Sequence, residues 1–291
     1  MIHLLAPAKI NLSLEIIGPL GTTYHEICTV MQSVDLFDEL FFSHSTDLTL
    51  DVDDPIGLGE GNLILRAARL LQKKRNVHFG ASIRLIKNIP ISAGLGGGSS
   101  DAAATLLGLN QLWKLNLNAV ELSQIASDLG SDVPFFITGG TCHGKGRGNE
   151  LSSLLAPIEE YAVIFSPSKS IIEEKTKRMY GMITGNHFSN GSKTKKLIEA
   201  ITTAKPIAQL LFNVFDSVAT LAYSSYSGTK PALDSISPAP FTLAGSGPSL
   251  FALFQSEKDM MRVINECEIA EYRAYPVKLI SGWSIAGLRN I

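Results

Sequence analysis

The stretch Pro90-Ile91-Ser92-Ala93-Gly94-Leu95-Gly96-Gly97-Gly98-Ser99-Ser100, continued by Asp101-Ala-Ala-Ala104, decides the reading of this chain. Four glycines and the pair Ser99-Ser100 stand between a strand-like segment and an amphipathic helical one. Glycine admits positive φ and lets a backbone approach a ligand without an intervening Cβ. A helix that begins here points its unpaired N–H groups and the positive end of its dipole into the loop. That geometry suits a phosphate and makes a nucleotide-using enzyme the first hypothesis. A glycine-rich turn with serine N-caps is the alternative, and the loop alone leaves both open.

Two other glycine patterns compete. A dinucleotide fingerprint requires G-x-G-x-x-G, but after Gly94-Leu-Gly96 the third position is Ser99. A Walker A loop requires G-x-x-x-x-G-K-[ST]. Gly139 to Lys145 fits as far as the lysine, but Gly146 replaces the hydroxyl that would hold Mg²⁺, and no helical pattern follows. A mobile or hairpin glycine loop is the better reading there.

Outward from the loop, Ala81 to Ile86 reads as the strand that feeds it. Ala102, Leu106, Leu109 and Trp113 recur at helical spacing behind it. Asn118-x-x-Glu121 has the form of a capping box, with Leu122, Ile125, Ala126 and Leu129 before Gly130. Upstream, Asn62 is placed to cap a helix carrying Leu63, Ala67, Leu70 and Leu71. Residues 9–16 alternate: Ile10, Leu12, Leu14 and Ile16 face one way, Lys9, Asn11, Ser13 and Glu15 the other, as in a half-buried strand. Downstream, 161–165 reads as a strand, 171–183 as a helix and the polar run 186–196 as an exposed loop. Residues 241–254 form two apolar runs around a glycine-serine turn, 256–267 a helix and 275–283 a closing strand. Hairpin-like and crossover connections mix, so the expected class is α+β. The glycines at 139–148 and the loop at Pro157 set the expected boundary between domains 1–157 and 158–291.

A formal net charge of −2 gives no electrostatic case for nucleic acid or an anionic membrane as the main partner. Cys28, Cys142 and Cys267 lie far apart, which fits a reducing compartment better than a disulfide framework or zinc site. With no signal-like start and no apolar run of membrane length, the expectation is a soluble, cytoplasmic protein.

The loop Pro90–Ser100 resembles the ATP loop of the galactokinase, homoserine kinase, mevalonate kinase and phosphomevalonate kinase (GHMP) superfamily. Ala6-Pro-Ala-Lys-Ile-Asn-Leu12 resembles its N-terminal block, and Leu243-Ala-Gly-Ser-Gly-Pro-Ser249 its C-terminal glycine block. The triple glycine, Tyr24-His25-Glu26 and Gly130-Ser-Asp-Val-Pro134 are similar to one branch. That branch acts on a cytidine-diphosphate-linked methylerythritol in the non-mevalonate route to isoprenoid precursors. Homoserine- or mevalonate-type kinases of the superfamily are the second reading, and a non-catalytic binding protein the third.

The resemblance implies a two-domain fold, ribosomal-protein-like at the N-terminus and ferredoxin-like at the C-terminus. It implies ATP, with Mg²⁺, as phosphoryl donor to the 2-hydroxyl of a small-molecule substrate. Lys9 and Asp132 fall on the catalytic pair; a solvated strand-face charge and a helix N-cap are their alternative readings. Tyr24 and His25 fall on base-recognition residues, with an ordinary surface turn as the alternative. Asn11 falls on a substrate-site residue, and Gly245, Ser246 and Gly247 near the phosphates, with a plain hairpin as the alternative. Met31 stands where the family often has an aromatic wall, and Thr22-Thr23 replaces an Asp-Gly. Gly144-Lys-Gly-Arg-Gly148 is more basic than the family pattern. Metal ligands are not assigned, beyond Ser99 or Ser100 as candidates.

Overall fold

Two long strands, β1 (Ile2–Leu20) and β2 (Tyr24–Ser45), pair antiparallel and form the spine of the fold. A computed structural model describes residues 1–21, 24–53, 61–168, 174–280 and 289–290. Thr22, Thr23 and the expected element ends at 171–173 and 281–283 lie outside the described residues.

After the spine come β3 (Leu48–Val52), α1 (Leu63–Arg75), β4 (Gly80–Ile86) and α2 (Gly97–Leu112). Then follow α3 (Ala119–Ser127), α4 (Val133–Thr138) and the hairpin β5 (Thr141–Lys145) to β6 (Glu150–Ser153). The second half contains β7 (Tyr161–Pro167), α5 (Lys175–Gly181), α6 (Ser192–Thr202), β8 (Phe212–Asn213), α7 (Ala219–Ala222) and α8 (Tyr226–Ile236). It closes with β9 (Thr242–Leu243), β10 (Leu250–Phe254), α9 (Glu257–Glu266), β11 (Tyr272–Lys278) and β12 (Arg289–Asn290).

The first sheet runs β12-β1-β2-β4-β3, with β5 on β2, β6 on β5 and β8 on β1. The second runs β11-β7-β10-β9, every neighbouring pair antiparallel. In chain order that is fourth, first, third, second, the arrangement of a split βαβ or ferredoxin-like unit. The α+β class therefore holds, and the glycine run at 139–148 forms a hairpin.

Local signals explain the starts of α1, α3 and α9. Asn62 accepts from the Ile64 amide at 2.9 Å. Asn118 and Glu121 close a reciprocal capping box, each bond 3.0 Å. Ser256 caps α9 through the Asp259 amide.

Three expectations need correction. β1 is not half-buried: Lys9, Asn11, Ser13 and Glu15 are all buried. β1 lies between two layers, with Ile2, Leu4 and Ala6 in the core under α1 and α2, and Ala8, Ile10 and Leu12 in the core shared with β7 and β10. Its polar face is covered as well; Glu15 accepts from the Thr194 amide of α6 at 2.7 Å. The supposed exposed loop 186–196 becomes helix from Ser192, because Thr194, Leu197, Ala200 and Ile201 form one buried stripe. Finally, α2 is not amphipathic: β1, β2, α1, α3 and α4 surround it, and its alanines let them approach.

Candidate functional site

The loop before α2 is held in place from three sides. Lys9 N–H donates to the Leu95 carbonyl at 2.9 Å, tying the loop to β1. Lys87 Nζ bonds the Asp38 carboxylate and reaches Asp101 Oδ2 at 2.9 Å, while Asp38 accepts from the Asn88 and Ile89 amides at 2.7 and 2.8 Å. Burial opposes the Lys87 charge, but the Asp101 and Asp38 carboxylates outweigh it and hold its pKa above the usual value. Burial also pushes the Asp101 carboxyl up to about 7. On the third side, the loop interlocks with the turn at 244–249. A Cβ on Gly94 (φ +86°) would overlap the Ala244 carbonyl oxygen, so only glycine fits there.

Gly96 (φ +75°) is the N-cap of α2 and makes no side-chain cap. Ser99 and Ser100 are therefore inside the first turn, not capping serines. Ser100 Oγ and Asp101 Oδ1 are buried with no hydrogen-bond partner among the described residues. An orphaned buried hydroxyl on the first turn of a helix is a costly arrangement in the absence of a ligand.

The loop borders a cleft of about 470 Å³. One end is apolar, with Val52, Leu63 and Leu85; the other gathers Lys9, Asn11, Asp132, Lys175 and Gly245-Ser246. Lys9 is only 4% exposed. Its Nζ donates to Asn11 Oδ1 at 2.7 Å and faces Asp132 Oδ2 at 3.4 Å. Asn11 donates to Thr29 Oγ1, which donates to the Ser13 carbonyl, so the lysine's partner is itself fixed. Asp132 precedes α4, but its carboxylate makes no capping bond and its side chain is 40% exposed. It is free to face the cleft.

Not every expected residue reaches this cavity. Loop residues 90–99, Lys9, Asn11, Met31, Asp132, Gly245 and Ser246 line it; Ser100, Gly247, Tyr24 and His25 do not. Met31 lines it while almost wholly buried. His25 joins the cleft indirectly, stacked on the lining residue Tyr180 with ring centroids 5.3 Å apart and planes 22° apart. Tyr24 is 50% exposed, and the Arg147 guanidinium lies 3.8 Å over its ring. The basic Gly144–Gly148 turn thus sits beside the aromatic pair and docks through the Ile27 amide to the Gly146 carbonyl, 2.8 Å.

Comparison with known proteins follows the same lines. Residues 62–140 match the model of the GHMP kinases N terminal domain. A 4-diphosphocytidyl-2-C-methyl-D-erythritol kinase of Dehalococcoides mccartyi strain BAV1 is 34% identical over 280 residues, covering 96% of this chain and 99% of its own. One from Prochlorococcus marinus strain MIT 9312 is 39% identical over 304 residues, covering 97% and 94%. The chain belongs to the 4-diphosphocytidyl-2-C-methyl-D-erythritol kinase family. A crystal structure of 4-(cytidine 5'-diphospho)-2C-methyl-D-erythritol kinase superposes with TM-score 0.80 at 29% identity, covering 97% of this chain and all of that one. Homoserine kinase from Cytophaga hutchinsonii superposes with TM-score 0.76 at 17% identity and shares the fold.

Within this family member, three cleft residues escape a reading by motif. Lys175, Thr176 and Tyr180 all come from α5. Thr176 Oγ1 lies 3.1 Å from Ser246 Oγ. Their signal in the sequence is only a short polar helix, Lys-Thr-Lys-Arg-Met-Tyr, indistinguishable from a solvated one until α7 and the glycine turn are brought against it. No helix among the described residues is long and apolar enough to cross a membrane.

Proposed function

We propose that this protein transfers the γ-phosphoryl group of ATP to the 2-hydroxyl of 4-diphosphocytidyl-2-C-methyl-D-erythritol. The observation that carries the reading is the buried Lys9 ammonium 3.4 Å from an uncapped, cleft-facing Asp132, directly beside the glycine loop at the start of α2. Near-full-length relatives named for this activity support it.

In this reaction the protein mostly positions two substrates and stabilises charge on the transferred oxygens. The apolar end formed by Val52, Leu63 and Leu85 accepts the adenine. The amides of residues 94–100 hold the polyphosphate at the positive end of α2. Asp132 accepts the hydroxyl proton as the alcohol oxygen bonds to the γ-phosphorus and the bond to the ADP oxygen breaks. Lys9 keeps that carboxylate aimed, and Asn11 keeps the lysine in place. Tyr180 and His25 offer a stacked aromatic face for the cytosine, with Tyr24 and Arg147 beside it. Gly245, Ser246 and Gly247 flank the phosphates, and Met31 supports the floor.

The orphaned Ser100 Oγ and Asp101 Oδ1 are hard oxygen donors of the kind Mg²⁺ takes, and among the described residues no cluster of three metal-binding side chains competes with them. Mg²⁺ there would neutralise charge on the phosphates. We place the division of the chain at 157/158, just ahead of β7, with both halves contributing to the cleft.

A coupled assay of ADP release tests the reading directly. Turnover is expected with the cytidyl-linked methylerythritol and not with homoserine or mevalonate. Turnover with either of those two and none with the first overturns it.

A further inference from the structure

The first residue of α5, Lys175, is buried in the same cleft end as Lys9. Its ammonium donates to the Ser92 carbonyl at 2.6 Å and to the Gly247 carbonyl. One side chain thereby joins the glycine loop to the glycine turn. A lysine ammonium has three donors, and two are used. No carboxylate lies within ion-pair distance of it among the described residues; the neighbouring Glu174 pairs with Lys177 at the surface.

The charges around this point do not balance. Lys9 and Lys175 converge on one end of the cleft, and the carboxylate there, Asp132, is engaged by Lys9. Buried charges are ordinarily paired, because an isolated ion in a low-dielectric interior is expensive. A buried lysine held only by neutral carbonyls, with one donor left over at the edge of a phosphate-shaped loop, is a site short of an anion.

We propose that Lys175 contacts phosphate: its third N–H donates to a non-bridging oxygen of the ATP polyphosphate, and the nucleotide completes a clamp between residues 92 and 247. This rests on the phosphoryl-transfer reading above. The ligand is assigned to ATP, and not to the diphosphate of the acceptor, because Ser92 belongs to the nucleotide loop.

The clamp has a protonic signature. Burial, and then the neighbouring Lys9 charge, lower the Lys175 pKa to about 7. The other titratable groups around it are Asp132, which faces Lys9; Tyr180 and Arg178 on its own helix; and Tyr223, whose hydroxyl donates to the Ser246 carbonyl. An incoming polyanion restores the charge on Lys175, so nucleotide binding takes up about half a proton near neutral pH, where the free group is half-ionised.

Calorimetric binding of the β,γ-imido analogue of ATP, in buffers of different ionisation enthalpy, reads affinity and proton count even if no turnover is seen. Loss of turnover in the wild type therefore counts against the reaction assignment, while binding judges Lys175. For Lys175→Met the expected result is affinity weakened about tenfold to a hundredfold, as for a lost charge-assisted bond, with the proton uptake gone. Lys175→Arg, always charged, is expected to keep affinity within severalfold and to lose the fall in affinity expected of the wild type above about pH 8. Should the methionine variant fail to fold, the arginine variant decides. Wild-type affinity and proton count in Lys175→Met, or an unaltered pH dependence in Lys175→Arg, would overturn the proposal. So would a KM increase confined to the cytidyl substrate.

Discussion

The Asp132 carboxylate leaves the helix it precedes uncapped and turns instead to Lys9 Nζ, 3.4 Å away. An aspartate before Val133-Pro134 would ordinarily be occupied by backbone amides of the first turn. Proline in the first turn of α4 has no N–H to offer, which lowers the call on that carboxylate.

On the proposed mechanism, removing the carboxylate removes the proton acceptor and little else. Asp132→Ala is expected to lower kcat by about a hundredfold to ten-thousandfold, the usual worth of a positioned base. Its affinity for the ATP analogue should stay within about twofold, because the proposed mechanism puts the aspartate on the acceptor side. Stopped-time ADP release and calorimetry check the two halves; near-normal turnover would remove Asp132 from the mechanism.

Ser100→Ala separates ligand binding from stability. The Ser100 hydroxyl is buried and bonded to nothing among the described residues, so deleting it relieves an unsatisfied group and should leave the thermal midpoint unchanged or slightly raised. The KM for ATP should rise about three- to tenfold, as expected for one lost hydrogen bond. An unchanged KM places the nucleotide's contacts elsewhere.

Tyr180 stacks on His25, meets Phe215 edge-on and borders the cleft. Tyr180→Leu should raise the KM for the cytidyl substrate about fivefold or more, from the roughly 1–3 kcal/mol of a lost base-stacking surface. The KM for ATP should not move. Equal effects on both substrates would point to general loosening of the cleft.

Gly94→Ala forces a left-handed residue to carry a Cβ into the Ala244 carbonyl. The backbone conformation alone costs about 1–2 kcal/mol, and the overlap adds to it. A lower midpoint in chemical denaturation is expected, together with weaker ATP binding as the loop and turn separate. A variant as stable as the wild type would show that the two segments can part freely.

Asp101 couples stability to pH. In an unfolded chain its carboxyl ionises near pH 4, as aspartates do (about 3.9), whereas burial in the fold pushes it up to about 7. Between those values the native state holds a proton that the unfolded state has released. This contribution to stability is therefore complete below about pH 4 and lost as pH rises through 7. Asp101→Asn should flatten the decline in unfolding free energy across that window; an identical slope would assign it to other groups.

Much of the N-terminal half was legible because its signals are local. A capping asparagine, a capping box and a glycine run announce themselves within a few residues, and Asn62, Asn118 and the loop at 94–98 behave as their spacing says. The burial of Lys9 and Glu15 was not legible, since alternation in β1 reads the same whether water or α6 covers the polar face. Lys175 and Tyr180 were missed for a related reason: their importance depends on Gly247, Ser92 and His25, all remote in sequence. The Lys9–Asp132 pairing, 123 positions apart by the residue numbers, came from family resemblance and not from any local pattern.

The way β1 and β2 thread through both layers bears on how the protein comes into being. The spine emerges first during synthesis, yet Ser33 receives the Ile280 amide and Gln32 donates to the Ile280 carbonyl. Lys175 and the glycine turn join the cleft only after more than half the chain exists. A nascent N-terminal half carries the loop at 94–98, Lys9 and Asp132, but lacks the turn at 244–249 that interlocks with the loop and the wall that faces them. Activity is thus a late event in the life of each molecule, and a chain cut short before Ile280 should be made without ever acquiring it.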